Sequence, residues 1–173
     1  MDRTLPAERV ELQEFDAGRH AELLKAWLTR PHVIRWWGEQ AEPLAVLLRR
    51  RPGTHALIVA DGIPAGYLCW GPPDPDELTA ADLTDLPHAL VDIDILIGEP
   101  QLLGCGIGSR ALRLLLDQLR RRVDLTWAGV GTSRSNHAAI SAFEKAGFRL
   151  FREFDDPDFG PCRYMVIALR GAN

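Results

Sequence analysis

No stretch of the chain reaches the roughly 18 apolar residues of a membrane span, and the opening MDRTLPAERVELQEF lacks the apolar core of a secretory signal. A cytoplasmic protein with no membrane partner is the expectation. Cysteine is scarce: Cys69, Cys105 and Cys162 are the three, no two form Cys-x-x-Cys, and an odd thiol is left over. That argues against a disulfide framework and against a zinc site, so reduced thiols and no metal are expected. Basic charge is not in excess either. With 20 Lys and Arg against 24 Asp and Glu, the net charge of -4 offers no cationic surface to displace counterions from phosphates, which excludes a nucleic-acid partner. Repeats and low-complexity tracts are lacking too. At 173 residues and 46% apolar content, the chain is long enough for one buried core and short for two, so residues 1–173 are expected to form a single domain.

What is present is a regular alternation of strand and helix signals. Val10 to Phe15 alternates apolar and polar, and Asp16 then caps a helix carrying Leu23, Leu24, Trp27 and Leu28, which Pro31 stops or kinks. A short helix is expected over 42–51. Thr54 to Ala60, the turn Asp61-Gly62, and Ile63 to Trp70 read as a hairpin in which Pro64 places strain on the second strand. Val91 to Ile97 is the clearest strand: Val91, Ile93, Ile95 and Ile97 share one face, and Asp92, Asp94 and Leu96 the other. Leu112, Leu115, Leu116 and Leu119 give 108–122 a helical stripe. A strand over Leu125 to Val130, a helix over Ser135 to Ala146 closed by Gly147, and strands over Phe148 to Phe154 and Arg163 to Leu169 complete the series.

Acidic charge is clustered. Asp74, Asp76, Glu77, Asp82, Asp85, Asp92, Asp94 and Glu99 follow one another with no Lys or Arg between them, and Glu153, Asp155, Asp156 and Asp158 form a second knot. Such runs are either solvated surface or a landing site for a polycation. The first run passes through Gly71 to Leu90, a proline-rich stretch without strong periodicity; connections of that length are usually functional or disordered.

Between the clearest strand and the leucine-striped helix lies Gln101-Leu102-Leu103-Gly104-Cys105-Gly106-Ile107-Gly108-Ser109. A strand, a glycine turn and a helix together make an anion site, because the N–H groups of the first helical turn have no intrahelical partner and glycine lets a phosphate approach them. A tight turn also needs glycine without any ligand. No Gly-Lys-Ser/Thr follows, so this is not a P-loop, and it does not open a βαβ unit as a dinucleotide site would. Arg110 and Arg113 stand ready either to contact phosphates or to remain solvated. Cys105 sits at a helix start that favours a thiolate, but no base lies beside it in sequence.

Gln101-x-x-Gly104-x-Gly106 resembles the acetyl-coenzyme A loop of the Gcn5-related N-acetyltransferase (GNAT) superfamily, and Asn136-His-Ala-Ala-Ile-Ser-Ala-Phe143-Glu144-Lys145-Ala146-Gly147-Phe148 resembles its second signature. The resemblance implies an α+β fold: a mixed, mostly antiparallel six- to seven-stranded sheet with about four helices, whose splayed central parallel strands hold acetyl-CoA. It implies that the pantetheine arm bonds the backbone around Ile95 and Ile97 and touches Asn136. The pyrophosphate would rest on Gln101, Leu102, Gly104, Gly106, Ile107, Gly108 and Ser109. Phe143 falls in the cofactor-binding set, at a position where many members carry a tyrosine that protonates the departing thiolate. Phenylalanine cannot donate that proton.

The segment Arg30-Pro31-His32-Val33-Ile34-Arg35-Trp36-Trp37-Gly38, the Asp94 strand and the Phe143–Phe148 stretch are together similar to aminoglycoside 6′-N-acetyltransferases. By that resemblance Asp94 binds or deprotonates the acceptor amine, Trp36 and Trp37 border the acceptor cleft, and the acceptor is a cationic small-molecule amine. An ammonium cannot attack a thioester until it loses a proton, so a carboxylate there is chemically apt. Asp92 either raises the proton affinity of Asp94 or holds a second substrate amine. His32 is a further titratable candidate. The loop Gly131–Ser135 has no acid where the aminoglycoside enzymes carry one beside the substrate. A siderophore hydroxylysine-type or polyamine acceptor, and a non-catalytic CoA-binding domain, remain as alternatives; a monomer or homodimer is expected.

Overall fold

A computed structural model describes residues 7–39 and 42–170. Its seven strands are β1 (Val10–Glu14), β2 (His55–Ala60), β3 (Ile63–Gly71), β4 (Leu90–Ile97), β5 (Trp127–Ser133), β6 (Arg149–Asp156) and β7 (Gly160–Ala168). They form one mixed sheet in the hydrogen-bonded order β1-β2-β3-β4-β5-β7-β6. Six α-helices accompany it: α1 (Ala17–Leu28), α2 (Pro31–Trp37), α3 (Glu42–Leu48), α4 (Pro75–Ala80), α5 (Ile107–Leu119) and α6 (His137–Ala146). The fold is α+β, with β4 and β5 parallel and antiparallel registers in the β1–β2, β2–β3, β5–β7 and β6–β7 pairs. No helix among the described residues is long and apolar enough to cross a membrane. Two compact units share the chain: the first takes the chain up to Cys69 together with Ile95–Ala111, and the second Trp70–Asp94 and the chain from Leu112.

In the first unit, the Asp16 carboxylate accepts from Arg19 N at 3.0 Å and starts α1, as the sequence predicts. One side of α1 buries Leu24 and Trp27 completely, in a core shared with Phe15, Val33, Leu57, Val59, Tyr67 and Leu96. Full burial of side chains of this size contributes roughly 1.5–3 kcal/mol each. Pro31 does more than end α1: it occupies the first turn of α2, where its missing N–H has no intrahelical partner to lose. The Asp61-Gly62 turn has φ of 50° and 81°, the left-handed pair that a two-residue hairpin needs. Strain at Pro64 takes the form of a bulge, since Ile58 pairs with Gly66 but Val59 pairs with Pro64, leaving Ala65 over. The carbonyl of Ala65 accepts instead from Gly98 N at 2.9 Å.

In the second unit, the stretch from Gly71 to Leu90 is not the unstructured connection that its composition suggests. Asp74 caps α4 by accepting from Asp76 N at 2.8 Å, and Leu83 N donates to Leu78 O at 2.8 Å. Ala81, Leu83 and Leu90 then pack with Tyr164 and Val166 on one face of the sheet. Arg152 fastens the segment from outside through the Asp82 carbonyl at 3.1 Å and the Asp85 carboxylate. Periodicity fails there because the apolar anchors, Leu78, Ala81, Leu83, Leu86 and Leu90, are spaced irregularly rather than in a continuous stripe. Together with α2, this short α4 takes the helix number past the four expected.

Gly66 marks the closest approach of β3 to β4: a Cβ added there would stand 2.2 Å from the Leu96 carbonyl oxygen. Gly66→Ala must therefore push two backbones apart, and we expect a loss of about 2–3 kcal/mol in urea unfolding. Unchanged stability would show that the two strands can separate freely.

Candidate active site

The turn after β4 has the backbone form of an anion site. Pro100–Leu102 is a single 3-10 turn, Gly104 and Gly106 have φ of 76° and 75°, and α5 begins at Ile107. A Cβ on Gly104 or Gly106 would meet no atom within 4 Å, so these glycines are required by backbone conformation and leave open space over the turn. Behind the turn, Ile107 is buried and Ser109 Oγ donates to Gly106 O at 3.1 Å, which fixes the first turn of the helix. Gln101 and Leu102 complete the leg, with Leu102 N donating to Glu99 O at 3.0 Å and Gln101 Nε2 3.4 Å from Glu99 Oε2. Gly108 is half-buried inside α5. The Cys105 thiol points at the carbonyls of Leu103 and Gln101, 3.7 and 3.8 Å away.

Arg110 and Arg113 do not serve this turn. The Arg110 guanidinium donates to the carbonyls of Ala7 and Glu8, and Arg113 donates to Lys145 O at 2.8 Å, at the end of α6. Anion binding at the turn therefore falls to backbone N–H groups and the helix dipole.

The exit of β4 is clamped within the first unit. Gly98 lies against the indole of Trp27, where a Cβ would come within 2.1 Å of the ring, and Trp27 Nε1 donates to Glu99 Oε1 at 2.8 Å. Arg30 pairs with the same carboxylate at 3.6 Å. His32 Nε2 stands 3.0 Å from the Ile97 carbonyl, which spends one ring nitrogen on a backbone bond. Ile95 and Ile97 are partly buried on the strand. Of the tryptophan pair, Trp37 packs against the core of this unit, whereas Trp36 carries the Arg35 guanidinium 4.7 Å above its ring.

In the second unit the acidic residues sort themselves. Arg152 pairs with Asp85, and Glu153 pairs with Arg163 at 2.9 Å and Arg134 at 3.6 Å. The carboxylates that act on one another are others. Glu77 is raised above the ordinary carboxylate range by partial burial, then by Asp74, Asp94 and Asp156. Asp92 is pushed up to about 7, first by burial and next by the charge of Asp94. Asp94 itself is exposed. The first acidic run and the second knot thus meet around Glu77, on which Asp94 and Asp156 both act although more than fifty residues separate those two.

Asp92 also has a partner that the sequence did not reveal: the Tyr164 hydroxyl donates to its Oδ1 at 2.8 Å. Burial and the adjoining Asp92 raise the Tyr164 pKa, so the phenol stays protonated and acts as a donor. The clearance is made by β5. A Cβ on Gly129 would come 2.2 Å from the Tyr164 hydroxyl, so the glycine at 129 leaves the room its ring needs. Gly-x-Gly inside a strand is the one signal that marked a close approach here. The parallel β4–β5 register runs from Leu90↔Trp127 to Asp92↔Gly129, and no further pair is registered among the described residues, consistent with strands that part beyond Asp92.

Asn136 and Phe143 play structural parts. Asn136 caps α6, with Oδ1 accepting from Ala139 N at 3.2 Å and Nδ2 donating to Thr132 Oγ1 at 3.1 Å. Phe143 is buried beside Phe148, ring centroids 6.2 Å apart.

Residues 16–156 match the model of the acetyltransferase (GNAT) domain. The chain belongs to the GNAT acetyltransferases. An aminoglycoside N(6′)-acetyltransferase type 1 from Klebsiella pneumoniae is 31% identical over 83% of this chain and 76% of its own length. The solved structure of AAC(6′)-Ib with coenzyme A and kanamycin matches at a TM-score of 0.73, with 26% identity, 92% of this chain and 95% of that one. Its complex with paromomycin and acetyl-CoA matches at 0.74, with 27% identity, 93% of this chain and 94% of that one. In this GNAT chain the glycine turn fits a diphosphate: it has open space above it and the N-terminus of a thirteen-residue helix beneath.

Asp92 gives a stability test. Its folded pKa lies near 7 against an ordinary 3.8, so the native state holds a proton that the unfolded chain has lost between those values. Wild-type stability must then fall as pH rises through that window and level off above it. Asp92→Asn is expected to remove this slope, changing the melting-temperature difference between pH 5 and pH 8 by about 4 °C or more. Equal differences in the two proteins would place Asp92 in ordinary solvent.

Proposed function

We propose that the protein transfers the acetyl group of acetyl-CoA to a primary amine of an aminoglycoside, at the 6′ position. The observation that carries this is the meeting of Asp74, Asp94 and Asp156 around Glu77, with Asp92 acted on by both Asp94 and Glu77, acids from separate segments gathered in one unit. A polycationic acceptor is the ligand such a group suits, because each ammonium lowers the cost of holding like charges together. The Klebsiella pneumoniae relative and the AAC(6′)-Ib complex with kanamycin support the same acceptor class.

In this proposal Gln101, Leu102, Gly104, Gly106, Ile107, Gly108 and Ser109 carry the donor's diphosphate. Ile95, Ile97 and Asn136 line its pantetheine arm, and Phe143 backs it as packing. Trp36 and Trp37 border the acceptor, and Asp92 belongs to its acidic surroundings. Asp94 receives the acceptor ammonium and takes a proton from it. The free amine then attacks the thioester carbonyl, the C–S bond breaks, and the thiolate leaves. With Phe143 unable to donate, the thiolate takes its proton from water; a thiol pKa near 8.5 makes it a tolerable leaving group. We place the protein in the cytoplasm, as a monomer or homodimer.

Kanamycin or tobramycin with acetyl-CoA should give CoA release at micromolar enzyme. Asp94→Asn should keep CoA affinity, measured by calorimetry, while lowering kcat by roughly 10²-fold or more, the usual cost of removing a positioned base. CoA binding without release on any aminoglycoside would overturn the aminoglycoside assignment, and release on a polyamine or hydroxylysine-type amine alone would redirect it. An unchanged kcat in Asp94→Asn would remove Asp94 from the chemistry.

A further inference from the structure

We propose that Asp92, held by the Tyr164 hydroxyl at 2.8 Å across Gly129, is a positioning residue whose charge sets the proton affinity of Asp94 during acetyl transfer. The inference rests on the role of Asp94 as the carboxylate that receives the amine proton.

Proton accounting shows why a second carboxylate matters. A primary ammonium carries three protons on nitrogen and the amide product carries one, so two must leave. One ends on the CoA thiolate and the other reaches solvent. The carboxylate that mediates this has to hold a proton briefly at neutral pH, which an isolated aspartate with a pKa near 3.9 does poorly. A like charge on the same strand face raises that affinity. Asp92 and Asp94 are two residues apart on β4 and point the same way.

Three features make Asp92 a controlled source of that charge. Its carboxyl is taken out of water, and this burial favours the neutral acid. The Tyr164 hydroxyl, from β7, opposes the burial by donating to the charged form. Gly129 is the residue that lets the hydroxyl arrive. Glu77 from α4 also acts on Asp92, and Asp74 and Asp156 act in turn on Glu77. The balance leaves Asp92 changing charge near neutral pH, so the acid limb of the rate profile belongs to Asp92 rather than to an ordinary carboxylate.

The test is kcat/KM against pH from 5.5 to 9 for wild type, Asp92→Asn and Tyr164→Phe, with kanamycin and acetyl-CoA. Wild type should lose activity on the acid side near pH 7. Tyr164→Phe removes the donor to the charged form and should move that limb upward by about one unit. Asp92→Asn should abolish the limb, so that activity, though lower, stays level into the ordinary carboxylate range. A limb at the wild-type position in both variants, whatever the loss in rate, overturns the proposal; a purely structural tyrosine would lower rate without moving it. If wild type does not acetylate kanamycin, the acceptor assignment fails separately, and carboxyl 13C NMR decides the pair. Asp94 and Asp92 resonances that respond together near neutral pH, with the midpoint raised in Tyr164→Phe, support it. An Asp94 resonance unaltered by Asp92→Asn overturns it.

Discussion

Gly98 passes flat against the Trp27 indole, and much of the first unit depends on that passage. The indole fills the core beneath α1, and its N–H holds Glu99, which also receives Arg30. The chain leaving β4 is thereby fixed in position and direction before the glycine turn begins. A turn that binds a diphosphate through backbone N–H groups needs such support, because misplacing those donors weakens every bond at once. The two arginines nearest in sequence contribute nothing to it, being tied to carbonyls of other segments.

The proposed acceptor role puts a different demand on the second unit, that of keeping carboxylates close enough to attract a cation and still able to take its proton. Charge that draws in an ammonium also stabilises it against deprotonation, by about 1.4 kcal/mol for each pKa unit. Burial of Asp92, opposed by the Tyr164 hydroxyl, brings its pKa up to about 7. Asp94, exposed on the same face, stays accessible.

Legibility in the sequence followed the range of the interactions. The cap at Asp16, the Asp61-Gly62 turn, the left-handed Gly147 after α6 and the alternating faces of β4 are local, and each stands where the residues put it. The stretch from Gly71 to Leu90 looked unstructured because α4 and its anchors draw their stability from partners on β7 and from Arg152, seventy or more residues away. Arg110 and Arg113 stand beside the glycine motif in the sequence, open there either to a phosphate or to solvent. Their side chains bond the protein instead, and spacing along the chain does not reveal which carbonyl or hydroxyl will come within reach.

By itself, then, the sequence determined the alternation of strands and helices, the glycine turn opening a long helix, and the two motifs that carry family membership. All of these are written in short-range periodicity and backbone conformation. Only the tertiary structure decided which acids neutralise arginines and which converge on Glu77, and that Tyr164 reaches Asp92 through the space left by Gly129. Electrostatic coupling falls off with distance through space, and the pairing of β4, β5 and β7 sets those distances among residues that the chain keeps far apart.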